Sequence, residues 1–382
     1  MPSNYKKLGD YIQPVNNRNK NLVDIPLLGV SIKKVLMPSI ANIIGTDMST
    51  YKLISKNQFA YGPVTSRNGD KISIALLEEY ENAMVSQAYT VFEVIDKKKL
   101  LPEYLMMWFR RPEFDRYARF KSHGSAREIF DWVEMCDTEL PIPSFEKQQE
   151  IVREYDIIQN RIAINNQLIT KLEETAQAIY KQWFVDFEFP HDNGKPYKSN
   201  GGEMVWCEEL EKEIPEGWNI EEFQKVTDVT SGKSLKWEMG NKYPIYGAGG
   251  ITGYTDEFLF DKTIIIIGRV GTHGKVFIEY NKSWPTDNTL VFIPKYLCYS
   301  YFILKELNYD ELNKGGVQAL LTQTDLKQIK ILLPKFDLNK FENTVKPILL
   351  MKKNIDSQNQ KLEELKGLLL AKMTKVETKI TY

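Results

Sequence analysis

Two glycine-rich segments are the first candidates for chemistry, because backbone amides beside glycine can cradle phosphate groups. Segment 268–276 carries the Gly-Lys pair of a phosphate-binding loop at 274–275. However, Arg269 stands where that loop needs glycine, and Val276 stands where it needs serine or threonine. Segment 247–253 departs from the dinucleotide-binding fingerprint, since its third glycine comes one residue late. Both segments therefore predict flexible turns and no nucleotide site.

The histidines and cysteines are too few and too scattered for a metal centre. His123, His191 and His273 show no His-x-x-x-His spacing, and the three cysteines include no Cys-x-x-Cys pair. The chain also lacks the Asn/Asp-Pro-Pro-Tyr/Phe signature of methyltransferases and a carboxylate cluster suited to a nuclease. We therefore expect a chain that is not an enzyme and that holds no metal or cofactor of its own.

Length and composition predict more than one globular domain. The 382 residues exceed what one core usually needs, and 42% hydrophobic residues supply apolar surface for two. The formal net charge of -1 gives no overall basic excess, so any binding to nucleic acid would need a local basic patch or a partner's charge. Scattered cysteines, no apolar signal core and no run of roughly 20 apolar residues lead us to expect a cytoplasmic protein.

The sequence repeats itself. Segment 139–145, Glu-Leu-Pro-Ile-Pro-Ser-Phe, closes a β-rich region and opens a long helical pattern, as does segment 331–336, Ile-Leu-Leu-Pro-Lys-Phe. The run Lys-Leu-Glu-Glu occurs at 171–174 and again at 361–364. Strand-like runs broken by turn residues, such as 263–267, precede the helical patterns. The sequence thus predicts an α+β fold with an internal pseudo-twofold repeat, in which two globular domains with small twisted sheets alternate with two long helices.

Both helical patterns carry a seam of residues in alternating steps of four and three, as in coiled coils. The first seam comprises Ile151, Tyr155, Ile158, Ile162, Asn165, Ile169, Leu172, Ala176, Ile179 and Trp183. The second comprises Ile348, Met351, Ile355, Gln358, Leu362, Leu365 and Leu369. We expect the two seams to bury each other, most simply as an antiparallel pair of coiled-coil helices, although a parallel pair satisfies the same pattern.

These patterns divide the chain into five parts. Residues 1–144 form the first globular domain, 145–189 the central long helix, and 190–214 a linker rich in turn formers. Residues 215–335 form the second globular domain, and 336–376 form the C-terminal long helix.

The helical region and the linker resemble those of the specificity subunits of type I restriction-modification systems. The resemblance lies in Phe-Glu-Lys-Gln-Gln-Glu-Ile-Val at 145–152, in Gln-Trp-Phe-Val-Asp-Phe-Glu-Phe-Pro at 182–190 and in Gly-Lys-Pro-Tyr-Lys at 194–198. The second domain, with Ile-Gly-Arg-Val-Gly-Thr at 267–272, looks like a target-recognition domain of that family. The second domain has the run Gly-Arg-x-Gly at 268–271, and in the first domain Ala-Tyr-Gly-Pro-Val-Thr-Ser-Arg at 60–67 replaces it.

The resemblance implies a DNA-binding subunit that is not itself catalytic. Each recognition domain would contact one half of a split target in double-stranded DNA, and the helices would fix the spacing, since roughly 40 helical residues span about 60 Å. The same helices would dock two modification subunits, which bind S-adenosylmethionine and methylate adenine. Restriction subunits, which cleave and translocate DNA, would join the complex.

Side chains that can hydrogen-bond to base edges stand on predicted turns of both domains. In the first domain the candidates for DNA binding are Ser66, Arg67, Ser122, Gly124, Ser125 and Arg127. In the second domain they are Arg269, Thr272, His273, Lys275 and Gln318. The competing interpretation is a solvated surface charge for the arginines and lysine, and for Arg269 a structural hydrogen bond.

Two other functions fit parts of the same sequence. A structural coiled-coil protein with two duplicated ligand-binding or protein-binding heads would show the same repeat, yet it would have no affinity for DNA even with partners present. A fragment of a fused restriction-methylation enzyme would need a methyltransferase motif, which the sequence lacks.

Overall fold

The computed structural model describes residues 5–41, 44–66, 68–69, 71–123, 128–191, 194–235, 240–270, 274–312 and 321–375. The chain divides into two units, of which unit 1 comprises Met1–Ile164 and Gln358–Tyr382, and unit 2 comprises Asn165–Ser357. Both long helices contribute residues to each unit, because each helix passes from one unit into the other along the chain.

Unit 1 contains short strands followed by helices. Its elements are β1 (Tyr5–Lys7), β2 (Ile12–Val15), β3 (Leu27–Val30), β4 (Leu36–Pro38), β5 (Lys52–Ser55), β6 (Gln58–Tyr61), β7 (Ile74–Leu76), β8 (Asn82–Val85), β9 (Thr90–Val94), α1 (Pro102–Phe109), α2 (Pro112–Phe120), α3 (Trp132–Cys136), β10 (Glu139–Pro141) and the first part of α4 (Phe145–Phe184). Proline at the first position of α1 and α2 suits a helix start, where no backbone donor is needed.

Two four-stranded sheets form unit 1, with the orders β2-β9-β6-β7 and β4-β3-β8-β5. Side chains alternate between the two faces of a strand, and both faces are buried here. Phe59 of β6 and Phe92 of β9 therefore enter one apolar cluster, whereas their neighbours Ala60 and Val91 enter another. This double burial explains why neighbouring residues in these strands, Phe59 with Ala60 and Val91 with Phe92, are apolar.

Unit 2 contains a further β-hairpin and then elements that follow the order of most of those in unit 1. They are β11 (Met204–Cys207), β12 (Lys212–Pro215), β13 (Asn219–Glu222), β14 (Thr227–Ser231), β15 (Tyr243–Gly247), β16 (Gly250–Thr255), β17 (Ile264–Gly268), β18 (Val276–Glu279), β19 (Trp284–Pro285), β20 (Thr289–Pro294), α5 (Leu297–Glu306), α6 (Tyr309–Leu312), α7 (Gln323–Lys327), β21 (Lys330–Leu333) and the first part of α8 (Asn339–Lys372).

The sheet topology confirms the repeat. The order β14-β20-β17-β18 in unit 2 reproduces β2-β9-β6-β7 in unit 1, and a three-stranded sheet β16-β15-β19 reproduces β4-β3-β8. Even the direction of pairing agrees, because β15 runs parallel to β19 as β3 runs parallel to β8. The isolated bridge between Phe260 and Ser283 stands where unit 1 pairs β5 with β8. The predicted α+β architecture with duplicated small sheets is therefore correct.

Within each unit α4 and α8 run antiparallel. In unit 1 Lys366 Nζ donates to Gln159 Oε1 at 2.9 Å, and Leu370 joins Ile151 in one apolar cluster. In unit 2 Lys352 Nζ lies 3.3 Å from Glu173 Oε1. As the residue number increases along α4, the number of the residue that it contacts on α8 decreases. The antiparallel alternative is therefore the correct one.

The first predicted seam is confirmed and the second is displaced. Every predicted seam position of α4 is buried or half-buried, including Asn165, which is 2% exposed. In α8, however, Met351 and Leu365 are 48% and 50% exposed, and Gln358 is exposed as well. The residue that follows each of them is half-buried in its place, and these residues are Lys352, Asn359 and Lys366. Long amphipathic side chains such as lysine can cover apolar surface with their stems. For this reason the apolar residues of α8 did not by themselves identify the positions that face α4.

Candidate nucleic-acid interface

The loop between β6 and β7 in unit 1, residues 62–73, packs against the segment that follows α2. Val64 and His123 each form an antiparallel bridge with Ile129. The backbone N–H of Thr65 donates to the Glu128 carbonyl at 2.9 Å. The structure thus brings the predicted Ser66 and Ser122 turns together, although more than 50 residues separate them in the sequence.

The two serines have different surroundings. Ser66 is exposed, so its hydroxyl is accessible to an approaching ligand. Ser122 Oγ donates to the Ala118 carbonyl at 2.6 Å and accepts from Thr65 Oγ1 at 2.9 Å. Since its single proton is already donated, Ser122 is suited to fixing the two segments against each other rather than to donating to a base.

Glu134 lies beside two basic side chains of this loop pair. Its carboxylate lies 3.2 Å from Lys121 Nζ and 3.6 Å from His123 Nε2. The hydrogen bond to Glu134 and the attraction of its charge raise the pKa of Lys121, which therefore stays cationic. His123 is 72% exposed at its side chain and presents its ring to solvent. The two basic side chains at this face, Lys121 and His123, are thus held near Glu134 and remain accessible to solvent.

Unit 2 has the equivalent loop between β17 and β18. The backbone N–H of Arg269 donates to the Asn288 carbonyl at 3.0 Å, and the Arg269 carbonyl accepts from the N–H of Leu321 at 3.1 Å. The second bond parallels unit 1, where the Pro63 carbonyl accepts from Phe130 N–H at 2.9 Å. In both units the hairpin loop is therefore joined to the segment that precedes the last strand of the domain.

The Arg269 side chain is half-buried, and its Nε has no hydrogen-bond partner within the described ranges. A buried donor without a partner is costly, so an acceptor brought to this Nε would be stabilising. Lys275, at the other end of the loop, is exposed and suits a contact with a phosphate. The backbone of Arg269 thus makes structural hydrogen bonds, whereas its side-chain Nε makes none within the described ranges.

Gly268 is required where β17 ends. A Cβ there would lie 2.7 Å from the Ala248 carbonyl oxygen and 2.9 Å from the Ala248 Cβ, closer than side chains are found. The close approach lets the β15–β16 turn pack against the root of the loop that carries Arg269. Gly268, the first glycine of the segment that resembled a nucleotide-binding loop, therefore serves packing.

Several predicted contact residues lie outside the described residues. They are Arg67, Gly124, Ser125, Arg127, Thr272, His273 and Gln318. Ser66, Ser122, Arg269 and Lys275 are described, and the structure groups the first two in unit 1 and the last two in unit 2.

Thr65 and Glu134 also belong to the site, although neither was among the residues predicted from the sequence. Thr65 is 2% exposed and joins both segments through its backbone and its hydroxyl. Glu134 lies on α3, whose first turn is capped by Asp131. The Asp131-x-x-Glu134 spacing could have indicated a helix start, but only the tertiary fold shows that Glu134 faces Lys121.

Across the described ranges, no group of three or more His, Cys, Asp or Glu side chains could hold a metal ion. In the same ranges, no helix is both long and apolar enough to cross a bilayer.

Two copies of one α+β domain, each presenting polar and cationic side chains on a paired loop beside long antiparallel helices, define a class of duplicated binding proteins. The comparison with protein families gives the particular family. A model of the type I restriction modification DNA specificity domain matches residues 15–174 and 215–367. The chain belongs to this family.

Relatives and solved structures agree with this assignment. The type I restriction enzyme MjaIX specificity subunit of Methanocaldococcus jannaschii is 27% identical over 325 residues, which cover 75% of this chain and 71% of that protein. The HindI specificity subunit of Haemophilus influenzae is 29% identical over 190 residues, covering 47% of this chain and 40% of that protein. A type I restriction-modification S subunit from M. genitalium has the same fold, with a TM-score of 0.60 at 15% identity over 98% of this chain and 96% of that one.

Proposed function

We propose that this protein is the non-catalytic specificity subunit of a type I restriction-modification complex and that each unit recognises one half of a split DNA target. The observation that carries the proposal is the duplicated loop pair. Unit 1 and unit 2 each present a hairpin loop joined to a second segment at the same place in the same topology. One chain with two equivalent recognition surfaces suits a target that has two separate parts.

Within this proposal, Ser66, Arg269 and Lys275 contact DNA directly, and Ser122 positions the loops. The remaining predicted residues, Arg67, Gly124, Ser125, Arg127, Thr272, His273 and Gln318, lie on the same turns in the sequence and keep their proposed role. Arginine can donate two hydrogen bonds to guanine, whereas lysine at a loop end is suited to phosphate.

The long helices are the proposed docking sites for two modification subunits. Their outer faces expose large apolar side chains, among them Ile157 and Ile164 on α4 and Leu365 and Leu368 on α8, which are 50–63% exposed. Isolated apolar residues are common on surfaces, but several on adjacent helices indicate a protein partner. S-adenosylmethionine would bind to the modification subunits, and restriction subunits would complete the complex in the cytoplasm.

Co-expression with a methyltransferase-like modification subunit tests the function. Single-molecule sequencing of host DNA should then reveal methylated adenines in a split motif with a fixed gap, and these should be absent when the present chain is omitted. A stable complex that adds no methylation, and that binds no duplex, would contradict the proposal and favour the structural protein with two heads.

A further inference from the structure

A cavity of about 420 Å³ in unit 1 has a strongly cationic lining. It lies between the β3–β4 turn, α2 and the unit 1 segments of the two long helices. Among the residues that the structure describes, Asp115 carries the one carboxylate of this lining. The cations around it are Lys33, Lys34, Lys71, Arg110, Arg116 and Lys366.

The carboxylate of Asp115 is already engaged inside the protein. Lys34 Nζ lies 2.8 Å from Asp115 Oδ1, and the two side chains are only 6% and 13% exposed. Lys34 also donates to the Phe109 carbonyl. Burial lowers the pKa of Lys34, and the positive charges of Lys71 and Arg110 act in the same direction. Asp115 therefore neutralises the buried lysine, and no other carboxylate lines the cavity within the described part of the chain.

Lys366 is paired with Glu363 and donates to Gln159, whereas the other outer cations have longer ion pairs or none among the described residues. Arg110 lies 3.8 Å from Glu78 and Arg116 lies 3.4 Å from Glu113, and neither carboxylate lines the cavity. Within the described part of the chain, Lys33 and Lys71 have no carboxylate within the 4 Å of an ion pair, and both are exposed. Like charges held close together repel each other, so an anion in the cavity would relieve this repulsion.

The cavity is joined to the proposed DNA-contacting loop. Lys71 belongs to the same β6–β7 loop as Ser66, and its N–H donates to the Asn68 carbonyl at 3.3 Å, which folds the loop back. The N–H of the next residue, Ile72, donates to Asp115 Oδ1 at 3.1 Å. Ser66 and Lys71 are five residues apart, which spans at most about 18 Å of extended chain. A DNA duplex, whose major groove alone is about 12 Å wide, is large enough to contact both residues.

We propose that this cavity binds one phosphate of the DNA backbone, next to the groove that the β6–β7 loop enters. Lys33, Lys71 and Arg116 supply the charge, and the Lys34–Asp115 pair fixes the turn that holds Lys33. This inference rests on the proposed function. Such a contact sets the position of the protein on the duplex and carries no sequence information.

A salt series with the double variant K71Q/R116Q tests the site. The full chain, in complex with its modification subunits, is titrated into a fluorescent duplex of mixed sequence between low and moderate salt. Loss of one phosphate contact should reduce the slope of log affinity against log salt by about 0.9 and weaken binding to all sequences alike. The matched control K97Q/K98Q removes the same charge from exposed lysines of unit 1 outside the cavity and should keep the slope.

The other outcomes separate the hypotheses. A slope for K71Q/R116Q equal to that of the control overturns the phosphate site and leaves the proposed function intact. If K71Q/R116Q no longer binds the modification subunits but keeps the salt slope, the phosphate site is overturned in favour of a contact with an acidic protein surface. If the cavity binds inorganic phosphate but K71Q/R116Q keeps the salt slope, the phosphate site is overturned in favour of a small phosphorylated ligand. If the complex with the unsubstituted chain binds no duplex at all, the proposed function is contradicted, and the phosphate site, which rests on it, is contradicted as well.

Discussion

Gln148 and Glu342 are the fourth residues of α4 and α8, and each accepts hydrogen bonds from the start of the helix that packs beside it. Gln148 Oε1 accepts from the N–H of Leu101, just before α1, at 2.8 Å. Glu342 accepts from the N–H groups of Cys298 and Tyr299 in the first turn of α5, both at 3.0 Å. Both units thus use a buried side chain of the long helix to cap a short one.

Removing either cap should destabilise its own unit. Gln148 is fully buried, and its Nε2 also donates to the carbonyls of Lys99 and Pro143. Gln148→Ala or Glu342→Ala leaves buried donors without partners, which we expect to cost about 1–3 kcal/mol. Urea unfolding followed by circular dichroism should show an earlier transition. Gln149→Ala, an exposed neighbour of the same type, is the control, and equal midpoints for Q148A and Q149A would refute the capping role.

Arg269 and Lys275 should differ in what they contribute to binding. Arg269→Ala is expected to relax the base preference at one position of the half-site recognised by unit 2, by about 1–3 kcal/mol. Lys275→Ala should weaken binding to every sequence to a similar extent, because phosphate carries no base identity. A panel of duplexes with single-base changes, titrated with each variant complex, measures both effects.

Lys262→Ala is the control for these variants, since Lys262 is exposed in unit 2 before β17. If Arg269→Ala weakens all duplexes uniformly while Lys275→Ala changes the preferred base, the two assigned roles are wrong.

Shortening both long helices should shorten the gap of the target. Removing residues 160–166 from α4 and 359–365 from α8 takes out one heptad from each, about 10 Å at about 1.5 Å per residue. The gap should decrease by about three base pairs at about 3.4 Å each, with both half-sites unchanged. Adenine methylation mapped by sequencing gives the gap directly.

Removing the heptad from α4 alone is the informative control, because the two seams would then no longer match. That variant should lose methylation. An active complex that carries the double deletion and still modifies the original gap would show that the helices do not set the spacing.

The sequence predicted the architecture well because the repeat and the helix periodicity are local patterns. The seam of α4 follows directly from residues such as Ile151, Tyr155 and Ile158. In α8 the same rule selected Met351 and Leu365, but the structure turns Lys352 and Lys366 inward. Two adjacent positions differ by about 100° around a helix, and the partner surface decides between them when a lysine stem can fill the space.

The duplication, the two long helices and the resemblance to the family could all be predicted from the amino-acid sequence, because each lies in segments that need no distant contact. Which loops meet became clear from the folded chain, in which Thr65 contacts Ser122 and Glu128 in unit 1. The folded chain also shows that Lys71 faces the same cavity as Arg116 and that Gln148 and Glu342 cap neighbouring helices. The physical reason is that such contacts depend on strand register and helix packing across tens of residues, which local residue patterns do not specify.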